Sequence, residues 1–142
     1  MSGIDRFVGK TLKGFLIVFG LATCLPIVLA SNIDFANKHL FSGLLDYGPS
    51  SVPGLRHWGM MVFGIGALMV ASAFRPWLRF ETMLFSIVEK GFMVYLFLIS
   101  RTEPWSHAYL AGTIVDSTIV LYSLLYFASR HGRPLPAPPG KA

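Results

Sequence analysis

Cysteine occurs once, at Cys24, so the chain forms no internal disulfide and carries no CxxC redox or zinc motif. Charge is scarce: only 13% of the 142 residues are Asp, Glu, Lys or Arg. Phosphate loops, nucleophile elbows, HExxH metal motifs and dinucleotide fingerprints are all missing. No stretch is left over that could fold as a separate soluble domain. What is there is apolar. Hydrophobic residues make up 54% of the chain, which places it in the membrane class. The net charge of +5 does not point to nucleic acid. Its basic residues flank apolar segments, as membrane topology demands, instead of forming a patch on a soluble face.

The apolar segments predict an all-α polytopic membrane protein, a single domain with a bundle of four transmembrane helices. The spans fall at about 13–30, 57–74, 80–100 and 106–129. Each is close to the length needed to cross a hydrocarbon core about 30 Å thick. Pro26 should kink or end the first span. That span also fits a cleaved signal peptide, with a basic start and Val28-Leu29-Ala30 before Ser31. The second span carries Gly59, Gly66 and Ala73 at seven-residue intervals, and a separate Ala67/Ala71 pair. Small residues let membrane helices approach closely, so this span should be the most tightly packed. In the long connection before it, Leu40, Phe41, Leu44 and Leu45 fall at helical spacing, which suggests a short interfacial helix. The tail 130–142 is basic and rich in proline, and is expected to be extended.

With four spans, both termini and the Arg75–Arg79 turn share one side. Lys and Arg at and beyond the ends of the spans divide eight against three in favour of that side: Arg6, Lys10, Lys13, Arg75, Arg79, Arg130, Arg133 and Lys141 against Lys38, Arg56 and Arg101. The positive-inside rule then puts both termini in the cytoplasm, with an inner (plasma) membrane of bacterial type as the expected location.

The third span is the unusual one. Glu89 and Lys90 stand side by side at its centre. On an insertion scale its apolar residues gain roughly 3–7 kcal/mol, and the two charges take back roughly 5–7 kcal/mol. Such a helix needs neighbours to take up its charges. The fourth span carries Asp116 at matching depth, counted from the opposite end of an antiparallel helix. Ser86 lies one turn from Glu89 and Lys90, and Thr113 one turn from Asp116. These five residues are the candidates for a ligand or proton site, because ionisable groups inside a membrane mark function by default. A structural ion pair locking two helices is the plainer reading. Neighbours in a helix point about 100° apart, so Lys90 is expected to pair with Asp116 and leave Glu89 as the spare acid. On the fourth span, Tyr109, Gly112, Thr113, Asp116, Val120 and Ser123 share a face that should point inward.

Arg56, His57, Glu103 and His107 form a second candidate cluster, at the outer ends of the spans. No third or fourth ligand is spaced to complete a metal site there, so no metal is predicted and polar capping is the expected role. Trp58, Trp77 and Trp105 sit at expected membrane interfaces.

The Arg56-His57-Trp58-Gly59 opening, the small-residue run ending in Ala73-Phe74-Arg75-Pro76, the mid-helix Glu89 and the four short spans together resemble the DoxX-like group of small membrane proteins. That group includes subunits linked to quinone-dependent oxidation. The resemblance implies an accessory membrane subunit with a lipid-like ligand, a quinone or a lipid. No residue here is assigned to a quinone site, and no cofactor is predicted. Four short helices offer little room for a catalytic cavity. The leading expectation is therefore a non-enzymatic accessory or scaffolding subunit of a larger assembly. Its partners would be the lipid bilayer and other membrane subunits or further copies of itself. Two alternatives stand beside it: a protein that handles a small molecule, ion or proton at Glu89, Lys90 and Asp116, and a quinone-linked redox subunit.

Overall fold

Pro26 sets the shape of the first span. In the computed structural model, which describes residues 3–130, helix α1 runs over Gly3–Cys24 and gives way at the proline to a tight turn, Leu25–Ile27. Proline has no N–H to donate, so the α-helical ladder breaks there. One further turn of helix, α2 (Val28–Ser31), completes a span of 29 residues. The helix already includes Arg6 and Lys10, so the basic lead-in is part of it. Lys13 Nζ lies 4.9 Å from the centre of the Phe74 ring, where its charge meets the face of an aromatic group.

Helix α3 (Ile33–Leu40) is capped by Asn32, whose Oδ1 accepts from Phe35 N at 2.9 Å. The expected interfacial helix around Leu44 is not formed. Ser42 and Gly43 take φ values of 55° and 74°, which no α-helix carries, so the helix ends at Leu40. The chain then folds back as a loop. Asn37 clamps it from both sides: its Nδ2 donates to Leu45 O at 3.1 Å, and its Oδ1 accepts from Leu45 N at 2.9 Å. The Tyr47 hydroxyl donates to Asp34, and that bond raises the phenol pKa above its ordinary value. Phe41 and Leu45 are buried beneath the loop.

Helix α4 (Val52–Phe74) has proline in its first turn, where a missing N–H is harmless. Helix α5 (Arg79–Ile99) follows a tight turn. Arg79 folds back over the end of α4, donating to Ser72 O at 3.0 Å and Ala73 O at 3.1 Å. This satisfies carbonyls that the helix end leaves open, a use of the arginine that its place in the sequence did not disclose. Helix α6 (Leu110–Arg130) is preceded by a tight helical turn, Pro104–Tyr109. The proline-rich tail expected over 130–142 lies, beyond Arg130, outside the described residues.

The protein is all-α, with a four-helix arrangement and no strand among the described residues. All four long helical segments are long and apolar enough to cross a membrane. Their outward side chains are apolar too, as with Val18, Leu21, Phe85, Val88, Ile114 and Leu121, which is what lipid contact requires.

The small residues of α4 divide sharply. Gly66 packs on α1: a Cβ there would stand 2.6 Å from Gly20 O and 2.8 Å from Cys24 N. A Cβ on Gly59 would stand 2.5 Å from Pro26 O. Gly59, Gly66 and Ala73 are all buried, so the seven-residue repeat runs along the buried side of α4, with Gly66 against α1 and Gly59 against the turn and α2 that continue the first span. Ala67 is exposed, and the Ala67/Ala71 pair does not mark it. Two apolar cores result. One joins Leu16, Met69, Met83, Ile119 and Tyr122; the other joins Leu29, Ile33, Phe41, Leu45 and Ala108 near the loop. On the fourth span, Asp116 lies between Ala108 of the second core and Ile119 of the first.

Candidate functional site

Antiparallel packing of α5 on α6 brings Glu89, Lys90 and Asp116 together. Lys90 Nζ lies 2.9 Å from Glu89 Oε2 and 3.4 Å from Asp116 Oδ1. The lysine side chain is 3% exposed, Asp116 13% and Glu89 25%. Lys90 therefore serves both acids, and the expectation that Glu89 would be spare is corrected. The 100° offset between neighbours limits where the backbone points. A lysine stem, with four methylenes, is long enough to swing its ammonium between two carboxylates. The triad keeps one formal negative charge in excess. Glu89 Oε2 is buried and accepts no hydrogen bond from the described residues, although the ammonium is close.

Ser86 and Thr113 are buried near the triad but turn away from it. Ser86 Oγ donates to Thr82 O at 2.8 Å, and Thr113 Oγ1 to Tyr109 O at 2.9 Å. Each hydroxyl proton is used within its own helix, the common fate of Ser and Thr in apolar helices.

Beside the triad is a cavity of about 210 Å³. Lys90 and Asp116 form its charged floor. Thr23, Pro26 and Val62 line its walls, and Phe41, Trp58 and Tyr109 line the end nearest the loop. These three rings pack on one another with centroids 5.7–6.3 Å apart. The bundle thus has more internal space than its short helices suggested. A second hollow, about 260 Å³, lies alongside and shares Trp58, Met93 and Tyr109. An apolar chamber with a few convergent polar groups at one end is the usual build of a small-molecule site.

Of the residues that the sequence nominates, Lys90, Asp116 and Thr113 line the cavity, whereas Glu89 and Ser86 do not. From the inward face expected of the fourth span, Tyr109, Gly112, Thr113 and Asp116 reach it. Arg56, His57, Glu103 and His107 are all exposed, and no ion pair links them among the described residues. No group of three or more His, Cys, Asp or Glu side chains is placed to hold a metal ion among the described residues.

Sequence reasoning missed Thr23, Phe41 and Trp58. Thr23 had a signal, as the one hydroxyl residue in the first apolar run. Trp58 was read as an interfacial anchor because its sequence position fits one equally well. Phe41 comes from a loop whose fold is set by Asn37 and two left-handed residues, and no periodicity reports that. No family description matches the chain, and neither a curated protein nor a solved structure matches it.

Proposed function

We propose that this small membrane protein binds a small amphiphilic molecule inside the bundle, with its polar end at Lys90 and Asp116. The observation that carries this reading is the joining of cavity and charge. An ion pair that only locked two helices would gain nothing from an open chamber beside it, and desolvating it would be costly. A ligand head group gives the pair a further partner, and the aromatic end accommodates an apolar body. Quinones and lipids, the ligands that a DoxX-like protein implies, have this build. The reading is of a binding protein, with no chemical step assigned to it.

An accessory subunit is the second reading, and Glu89 favours it. Its side chain is one-quarter exposed at the centre of a helix that otherwise shows Val88 and Phe92 to lipid. A neighbouring subunit lying over that face would shelter the carboxylate. Mild-detergent purification followed by mass analysis separates the two. A small amphiphile retained at one per chain supports the binding reading. A stoichiometric protein partner with no retained small molecule supports the accessory one.

We also propose that both termini are cytoplasmic, on the Lys and Arg asymmetry. Reporter fusions after Gly48 and after Ala142 should then report opposite sides. Fusions that report the same side would overturn either the span count or the orientation.

A further inference from the structure

Thr23 is the buried hydroxyl that the fold leaves unused. It is 4% exposed, lines the cavity, and its Oγ1 has no hydrogen-bond partner among the described residues. Other hydroxyls in the long helices behave differently. Thr11, Thr82, Ser86, Thr113 and Thr118 each donate to the carbonyl one turn back, at 2.6–2.9 Å. An unsatisfied hydroxyl in an apolar interior is unfavourable, and although Oγ1 is itself buried as placed, a turn about χ1 presents it to a partner in the cavity that Thr23 lines.

The side on which the chamber opens is set by α1 and α6. They are clasped at their far ends, where the Thr11 and Tyr122 hydroxyls lie 2.7 Å apart and the Phe15 and Tyr122 rings stack at 3.7 Å. Near Thr23 the cavity separates them, with Ala22 and Leu25 on one rim and Ala111 and Gly112 on the other. Leu25, Ala111 and Gly112 are exposed, and a Cβ on Gly112 would meet nothing within 4 Å. Towards the loop the chamber is roofed by Leu40 and the buried Phe41. This opening lies within the apolar length of the first and fourth spans, which favours entry from lipid over entry from water.

We infer that the cavity is filled from the bilayer, through the gap between α1 and α6, by a single-chain amphiphile whose neutral head group hydrogen-bonds to Thr23 Oγ1. The inference rests on the binding reading above. The head group is neutral because the floor already pairs one ammonium with two carboxylates: an added anion would meet two like charges, and an added cation would compete with Lys90. A hydroxyl or carbonyl head can exchange hydrogen bonds with Thr23 and the floor without changing the charge.

The test uses the full chain with Trp77→Phe and Trp105→Phe, so that Trp58 on the cavity wall is the sole tryptophan. In phosphatidylcholine liposomes, 11-bromoundecan-1-ol should quench Trp58 saturably. Thr23→Val keeps the shape and removes an unpartnered hydroxyl. It should melt no lower than the parent, yet bind the bromoalcohol about fivefold more weakly. Gly112→Phe should slow the onset of quenching about tenfold, because a ring then stands in the rim. Gly64→Phe, placed where α4 has open space, should leave both affinity and rate unchanged. Quenching that rises linearly without saturation in the parent would overturn the binding reading and this inference together. Saturable quenching unaffected by Thr23→Val would leave the binding reading standing and overturn the role of Thr23. An unchanged rate in Gly112→Phe would overturn the route between α1 and α6.

Discussion

Lys90→Met should be the most damaging single substitution at the centre of the bundle, lowering stability by about 3–5 kcal/mol, the range for stranding buried charge. Lys90 stands between Glu89 and Asp116, and its loss leaves two carboxylates facing each other in an apolar setting. The rescue pattern distinguishes a bridge from a simple pair. If Lys90 served Asp116 alone, Asp116→Leu would restore a Lys90→Met protein almost fully. With Lys90 serving both acids, that double variant should recover only part of the loss. Adding Glu89→Gln should recover most of the remainder, because no stranded charge is then left. Thermal unfolding in a mild detergent reads all four proteins. Complete recovery in the double variant would show that Glu89 is not coupled to the lysine.

Gly66→Ala is expected to have the second largest effect. The added methyl group would need to occupy a point 2.6 Å from Gly20 O and 2.8 Å from Cys24 Sγ. Neither helix can yield there without separating, because two of the nearest atoms are backbone. Overpacking of this kind lowers stability by about 1–3 kcal/mol. Gly64→Ala, two residues away on the same helix, meets nothing within 4 Å. It should be neutral or gain up to about 1 kcal/mol from better helix propensity. Equal melting of the two variants would show that α1 and α4 do not approach as closely as described.

How much could be read in advance depends on the range of the interaction that sets each feature. The four helices were legible because hydropathy over a span-length window is a local property, and the bilayer dictates that length. The meeting of Glu89, Lys90 and Asp116 was legible because a short turn between antiparallel helices fixes their relative depth. The partner assignment was only half legible. Side-chain reach, which the sequence does not display, let Lys90 serve both acids. The seven-residue repeat of Gly59, Gly66 and Ala73 predicted a close contact without identifying its partner, the first span, which Gly66 meets at α1 and Gly59 at Pro26 and α2. The cavity was not legible at all. It arises where α1 and α6 part above the Tyr122 clasp, and where Phe41 is turned inward by a loop with two left-handed residues. Both features depend on tertiary placement.

The central claim is that a charged chamber inside the bundle holds a small amphiphile. It is tested most directly by the native mass of the intact protein, released from lipid nanodiscs prepared from its own membrane. The parent should carry a single non-covalent adduct at one per chain. Met93→Trp, which puts a larger side chain on a half-buried wall of the cavity, should fold and lose that adduct. A bare parent mass, or an adduct retained equally by Met93→Trp, would contradict the claim.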